Sequence, residues 1–200
     1  MKHVAVLGPG RIGRQIALAF ALGGSRVSLV DVKERPAGGA AAVFADARRE
    51  IRRDLGLMAE EGVIPRAEIA PALDRIEERR GLAGLDECGY VQEALPELVD
   101  LKREMLGRVS ASVSPEAIIA STSSTISPKH MADAVRGDAR FLVVHWLNPA
   151  HIIPLVEVVP GLATASAVVE RTVAFLEKLG KVPVRCADSP GSSARGCRPS

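Results

Sequence analysis

The chain has 200 residues, of which 47% are hydrophobic and 25% are charged, so it is long enough for one well-cored globular domain. Its formal net charge of +2 and its 3% of aromatic residues argue against a nucleic-acid-binding surface. No apolar run approaches the roughly 20 residues of a membrane span, and the odd count of three cysteines argues against a disulfide framework. These features predict a protein that binds neither nucleic acid nor membrane and lies in a reducing, cytoplasmic compartment.

Strands and helices are predicted to alternate over most of the chain. The predicted strands span 3–8, 26–31, 75–81, 90–97, 117–121, 140–146, 154–159 and 181–188. The predicted helices span 11–24, 39–61, 97–113 and 165–180, with a short helix at Ser127-Pro128. This alternation is typical of an α/β fold of the Rossmann type, with a doubly wound and mostly parallel sheet.

The sequence GPGRIG, from Gly8 to Gly13, fits the pattern G-x-G-x-x-G between the first predicted strand and the first predicted helix. In this context Gly8 makes the tight turn, Gly10 lets the backbone approach a pyrophosphate, and Gly13 lets helix and strand pack closely. The start of the helix, at Arg11 and Ile12, offers free N–H groups and a positive dipole end to an anion. We therefore predict that this loop binds a dinucleotide cofactor through Gly8, Gly10, Arg11, Ile12 and Gly13.

The end of the second predicted strand indicates which dinucleotide is bound. Asp31 can accept hydrogen bonds from both ribose hydroxyls and would repel a 2′-phosphate, which favours NAD over NADP. Lys33 and Arg35 follow closely and weaken this preference. The alternative, a glycine-rich turn beside a solvated aspartate, is disfavoured by the flanking strand and helix. We predict no metal site, because the cysteines lack the spacing of metal ligands.

The stretch HWLNPAHIIPLVE, residues 145–157, places two ionisable groups among apolar residues. Burial of either group without a partner is costly, so His145 and Glu157 are expected to pair. Histidine is the usual side chain for proton transfer near neutral pH, and a carboxylate on an adjacent strand holds its tautomer. A catalytic pair and a structural pair fit this stretch about equally well, because structural ion pairs also perturb pKa values.

Five stretches together carry a resemblance to a known enzyme family. They are VAVLGPGRIGRQIA, VQEALPELVDLKREML, IIASTSSTISP, HWLNPAHIIPLVEVV and LGKVPVRCADSPG. Over about residues 1–191 the chain resembles the L-3-hydroxyacyl-CoA dehydrogenase family, which includes the similar lambda-crystallin/gulonate 3-dehydrogenases and carnitine dehydrogenases. The resemblance implies an NAD-dependent oxidoreductase that oxidises the 3-hydroxyl of an L-3-hydroxyacyl-CoA and, in reverse, reduces the 3-oxoacyl-CoA.

The resemblance also implies roles for individual residues. His145 would take the proton from the 3-hydroxyl, Glu157 would orient the imidazole and stabilise its protonated form, and Ser124 would contact the substrate hydroxyl. Asn148 would lie near the nicotinamide. Glu97 and Lys102 fall where family members contact the cofactor. Apart from the resemblance, these last four residues have ordinary explanations as a loop hydroxyl, a turn and first-turn helix charges.

The chain also departs from the acyl-CoA members of this family. Thr122 stands where many of them have asparagine, and Trp146 and Leu147 replace a frequent Phe-Phe. The sequence IIPLVE instead resembles the lambda-crystallin branch. Three functions therefore stay open: oxidation of an acyl-CoA, oxidation of a small 3-hydroxy acid such as gulonate or carnitine, and a non-catalytic, truncated NAD-binding module.

The last stretch, DSPGSSARGCRPS, differs from the family pattern. Family members continue after Pro-Gly into a helical domain that carries the dimer interface, and its asparagine position falls here on Arg195. We expect residues 1–191 to form the NAD-binding domain and 192–200 to be an aberrant or disordered tail, with the helical domain absent. A frameshift that turned Phe-Ile into Ser192-Ser193 is one hypothesis, which resequencing of codons 190–195 would test. With the helical domain restored, a homodimer is expected.

Overall fold

The computed structural model of the protein describes residues 1–187 and the pair 197–198. Its strands are β1 (His3–Leu7), β2 (Arg26–Asp31), β3 (Ile76–Arg80), β4 (Tyr90–Glu93), β5 (Ile118–Ser121), β6 (Phe141–Trp146), β7 (Leu155–Pro160), β8 (Val182–Cys186) and β9 (Cys197–Arg198). Its helices are α1 (Arg11–Leu22), α2 (Gly39–Glu60), α3 (Ile69–Asp74), α4 (Val99–Ser112) and α5 (Ser166–Lys178). The rest of the expected tail, 192–196 and 199–200, lies outside the described residues.

Within the described residues, the strands form one sheet in the order β3-β2-β1-β4-β5-β6-β7-β8-β9. The pairs from β3 through β6 are all parallel, whereas β7 runs antiparallel to β6 and β9 antiparallel to β8. The order proceeds outward in two directions from β1, which makes the sheet doubly wound. The predicted Rossmann-type, mostly parallel fold is therefore confirmed, and its ligand crevice is expected at the carboxyl ends of the central strands.

Alternating side chains of the central strand β1 reach two separate cores. In β1, Val4 and Val6 join the core formed with α1, α2 and α5, while Ala5 and Leu7 join the core under α4. Successive side chains of a strand point to opposite faces, so a strand buried on both sides reads as a continuous apolar run. The two cores fix β1 in position, and with it the loop that follows at residue 8.

Some element boundaries differ from the predictions for physical reasons. The strand predicted at 90–97 ends at Glu93, since Pro96 cannot donate to a sheet ladder. Helix α3 was not predicted, because its six residues are too few to show a helical period. The short helix at Ser127-Pro128 is a 3-10 turn, Pro128–His130, in which the Ser127 hydroxyl accepts a hydrogen bond from the Lys129 N–H.

The cysteines do not follow the prediction, which was that the chain contains no disulfide framework. Cys186 is disulfide-bonded, and it lies opposite Cys197 in the register of β8 and β9. The argument from the odd count against a disulfide is therefore wrong, because a count cannot show which cysteines a sheet brings together. Cys88 is a free and buried thiol whose pKa burial raises to about 11. Among the described helices, none is both long enough and apolar enough to cross a membrane.

Candidate NAD-binding and proton-transfer site

The loop after β1 is tightly packed at Gly8 and Gly13 and open at Gly10. Gly8 adopts a φ of +105°, and a Cβ on Gly13 would lie 1.9 Å from the carbonyl oxygen of Gly8. Helix α1 therefore approaches the loop more closely than any side chain would allow. At Gly10, by contrast, nothing lies within 4 Å of the Cβ position. The open position is the one at which a pyrophosphate would approach the backbone.

The N-terminus of α1 provides unpaired donors at the same place. The helix begins at Arg11 with Gly10 as its N-cap, and no side chain of the described residues caps it. The first backbone bond of the helix runs from the N–H of Arg14 to the carbonyl of Gly10. The N–H groups of Arg11, Ile12 and Gly13 thus lack partners within the helix, and they form the positive end of its dipole. These donors and the open glycine fit the pyrophosphate of NAD.

A cavity of about 1010 Å³ extends from this loop along the end of β2 and the side of α4. Asp31 lines it, and its side chain is only 3% exposed. Both carboxylate oxygens already accept hydrogen bonds from Arg35, with Nε–Oδ2 at 2.5 Å and Nη2–Oδ1 at 3.3 Å. The structure therefore places Asp31 at the end of β2, as predicted, and on the wall of this cavity. It also places Asp31 in contact with Arg35, which was expected only to lie close by in the sequence.

The two ionisable groups of residues 145–157 meet between neighbouring strands. His145 in β6 lies opposite Glu157 in β7 in the antiparallel register, and Nδ1 lies 2.9 Å from Oε2. Their side chains are 20% and 7% exposed. A neutral imidazole that donates from Nδ1 to a carboxylate carries its lone pair on Nε2. This arrangement can accept a proton at Nε2 and hold the resulting positive charge against the carboxylate.

The loop after β6 carries Asn148 at the surface, and two residues from distant elements hold this loop. The N–H of Ala150 donates to Oε1 of Gln15 at 3.0 Å. The ammonium of Lys181 donates to the carbonyls of Ala150 and Ile153, at 2.8 and 3.0 Å. Burial lowers the pKa of Lys181. Neither Gln15 nor Lys181 was predicted, because a polar residue on a helix or at a strand start gives no signal of such a contact.

The loop after β5 is folded around the carboxylate of Glu97. One oxygen accepts hydrogen bonds from the Ser123 hydroxyl at 2.6 Å and from the N–H groups of Ser124 and Thr125 at 3.0 and 2.9 Å. Burial alone would raise the pKa of Glu97, but these hydrogen bonds and the nearby Lys102 ammonium lower it to about 2. Glu97 is therefore ionised at neutral pH and fixes the backbone of Ser124, whose side chain is exposed.

A second carboxylate, Glu93, was missed by the sequence analysis. It ends β4 with a side chain that is 0% exposed, and both its oxygens accept hydrogen bonds from Lys102, at 2.9 and 3.0 Å. Ser121 and the N–H of Leu95 donate to the same carboxylate. The sequence did contain a signal for Glu93. A glutamate within the buried strand YVQE needs a partner, as Glu157 does, because burial of an unpaired charge is costly. This network joins the ends of β4 and β5 to α4.

The predicted site residues thus reach one edge of the sheet from several elements. The loops after β1, β4, β5 and β6 all leave carboxyl ends of parallel strands, which meet at the same edge. Lys102 differs from the other predicted residues in that its side chain is not accessible to a ligand. Its side chain is 1% exposed, and its ammonium is held by Glu93, 3.4 Å from Glu97. The geometry supports an influence of Lys102 on the site through these carboxylates.

Comparison with known proteins agrees with this geometry. Residues 3–189 match the family model described as 3-hydroxyacyl-CoA dehydrogenase, NAD binding domain. The chain belongs to this family. The predicted family and its cofactor, NAD, are thereby confirmed.

Individual relatives show the same likeness. The chain is 34% identical over 191 residues to a fatty acid oxidation complex subunit alpha of Pseudomonas paraeruginosa, which covers 96% of this chain and 26% of the relative. It superimposes on (S)-3-hydroxybutyryl-CoA dehydrogenase PaaH1 from Ralstonia eutropha with a TM-score of 0.88 at 30% identity, covering 96% of this chain and 65% of that one. A diketoreductase that acts on dicarbonyl compounds gives a TM-score of 0.87 at 25% identity, over 97% and 67% of the two chains. The chain thus spans about a quarter of the length of the curated relatives it matches.

Proposed function

We propose that the chain provides the NAD-binding and proton-transfer part of a dehydrogenase that oxidises the 3-hydroxyl of an L-3-hydroxyacyl-CoA and reduces the 3-oxoacyl-CoA in reverse. The observation that carries the proposal is the 2.9 Å contact between His145 and Glu157 at the same sheet edge as the open glycine loop. The family match and the hydroxybutyryl-CoA dehydrogenase among the similar structures support this substrate class.

The residues of the chain have distinct roles in this proposal. His145 takes the proton of the substrate hydroxyl at Nε2, while Glu157 holds Nδ1 and stabilises the imidazolium that forms. The Ser124 hydroxyl donates to the substrate oxygen from the loop fixed by Glu97. When bound, NAD supplies the acceptor for the hydride that leaves C3. Protonation of His145 and departure of the hydride leave a neutral carbonyl, so the step is balanced.

The cofactor would be held along the edge of the sheet. Gly8, Gly10 and the N–H groups of Arg11, Ile12 and Gly13 would bind the pyrophosphate. Asp31 would bind the adenosine ribose, and Asn148 would lie at the nicotinamide end. We propose that Glu97 and Lys102 support the nicotinamide side, with Lys102 acting through the carboxylates that bind its ammonium.

Measurement of acetoacetyl-CoA-dependent oxidation of NADH, with the histidine pair varied, tests the proposal. His145→Ala should lower kcat by about 10²- to 10⁴-fold, the usual contribution of general acid–base catalysis, with little change in NADH affinity. His130→Ala is the matched control, because this histidine is exposed in the 3-10 turn. NADH binding with no turnover would instead favour a non-catalytic module. Equal turnover in wild type and His145→Ala would refute the proposed role of His145.

Oxidation of a small 3-hydroxy acid is a second candidate. The 25%-identical diketoreductase, which acts on dicarbonyl compounds, supports a substrate without CoA. Trp146 and Leu147 also stand in place of the frequent Phe-Phe of acyl-CoA members, and Trp146 is buried just before the loop that carries Asn148. A kcat/KM for a gulonate- or carnitine-like acid above that for 3-hydroxybutyryl-CoA would decide for this candidate.

We also propose that residues 1–191 form a single NAD-binding domain, which the family match over 3–189 supports. Assembly as a homodimer through a helical domain stays a prediction from the resemblance. A cytoplasmic location likewise stays a prediction. Because Cys186 is disulfide-bonded, the odd number of cysteines no longer supports this location.

A further inference from the structure

We infer that Arg35 is a specificity-determining residue that allows the cofactor site to accept NADPH as well as NADH. The inference rests on the proposed function, and it extends that function to a second cofactor. Its basis is the contact between Arg35 and Asp31 at the end of β2, where the adenosine ribose of a dinucleotide is recognised.

A lone aspartate at this position discriminates by charge. It accepts hydrogen bonds from the ribose hydroxyls and repels a 2′-phosphate. Here the carboxylate of Asp31 is 3% exposed and is neutralised by a guanidinium that binds both its oxygens. The N–H of Lys33 donates to Oδ1 as well, at 3.3 Å. The repulsion that would exclude a 2′-phosphate is therefore offset in this chain before any cofactor binds.

Arg35 also has N–H donors that do not bind Asp31 and that can bind a phosphate. A guanidinium carries five N–H donors in a planar fork, and those at Nε and Nη2 bind Asp31. Among the described residues, none accepts a hydrogen bond from Nη1, and the side chain is 24% exposed at the cavity. Arginine binds phosphate oxygens strongly because both charge and fork geometry match. Arg35 can therefore contact a 2′-phosphate while it keeps its contact with Asp31.

The other charges at this end of the cavity are balanced. Two cationic residues, Lys33 and Arg35, and two anionic residues, Asp31 and Glu34, line this end of the cavity. Arg14, further along the wall, is bound by Asp46 and Glu50 at 3.2 and 3.6 Å and is less available to a ligand. Lys33 is exposed at the same end, but its ammonium has no recognised contact with Asp31, whereas Arg35 contacts both the carboxylate and the cavity. Arg35 is thus the cation whose loss would uncover the Asp31 charge and also remove donors to a 2′-phosphate.

Titration of the chain with NADH and with NADPH, followed by nicotinamide fluorescence at one fixed ionic strength, tests the inference. In the wild type, the Kd for NADPH should exceed that for NADH by less than about tenfold. In Arg35→Ala the ratio of the two Kd values should rise by about tenfold or more, because a charge-assisted hydrogen bond to the phosphate is lost and the Asp31 charge is uncovered. Arg35→Lys should raise the ratio less, since it keeps the charge and loses the fork.

Arg48→Ala is the matched control for the lost charge. This arginine lies on α2, pairs with Glu78 at 3.0 Å, and does not line the cavity. The ratio should stay at its wild-type value in this variant. An unchanged ratio in Arg35→Ala and Arg35→Lys, or an equal rise in Arg48→Ala, would overturn the inference and leave the proposed function intact. A folded chain that binds neither nucleotide would overturn both.

Discussion

Replacement of Lys102 by methionine should destabilise the protein strongly, because it leaves a buried carboxylate without its cation. The Lys102 ammonium contacts both oxygens of Glu93 at 2.9 and 3.0 Å and the Leu95 carbonyl at 3.2 Å, and the two side chains are 1% and 0% exposed. Removal of one partner of a buried ion pair costs about 3–5 kcal/mol. A domain of this kind has a free energy of unfolding of about 5–15 kcal/mol, so the loss is a large fraction of the total.

The reasoning is tested by a double-mutant cycle with Glu93→Gln, with urea unfolding followed by circular dichroism. The double variant should be more stable than Lys102→Met alone, because a neutral amide costs far less to bury than an unpaired carboxylate. Lys129→Met is the control, since Lys129 is exposed and should change the free energy of unfolding by less than about 0.5 kcal/mol. A loss below about 1 kcal/mol in Lys102→Met, or no recovery in the double variant, would refute this account of the network.

Four further variants test other parts of the structure. Gly10→Ala should retain the wild-type free energy of unfolding and lose NADH affinity, whereas Gly13→Ala should lose stability, since its Cβ would lie 1.9 Å from a backbone carbonyl oxygen; the same unfolding midpoint in both would contradict this. The pKa of Glu97 is lowered from 4.5 to about 2, so its contribution to stability is present above pH 4.5 and is lost as the pH falls toward 2. Urea unfolding of Glu97→Gln should therefore show a smaller pH dependence over that window, and an unchanged slope would count against it. In Lys181→Met the loop at 147–153 loses two hydrogen bonds, which should cost about 1–3 kcal/mol and speed amide exchange within the loop; wild-type exchange there would exclude this role.

Features that depend on neighbouring residues were predictable from the sequence. The glycine loop and the strands β1 and β2 follow from short patterns in which the turn, the apolar run and the helix start are contiguous. The pairing of His145 with Glu157 was also predicted, because both groups stand in apolar strands and each needs a partner. The antiparallel register that brings them together is visible only in the structure. The same rule would have selected Glu93, and only the resemblance drew attention to Lys102.

The sequence by itself determined the fold family, the cofactor loop and the pair of residues proposed for proton transfer. Tertiary structure alone decided which long-range partners each charge finds. It placed Lys102 on Glu93, Lys181 on the loop after β6, Arg35 on Asp31, and Cys186 opposite Cys197. The physical reason is that a flexible charged side chain reaches several possible partners, and the packing of distant elements determines which of them lies within hydrogen-bond distance.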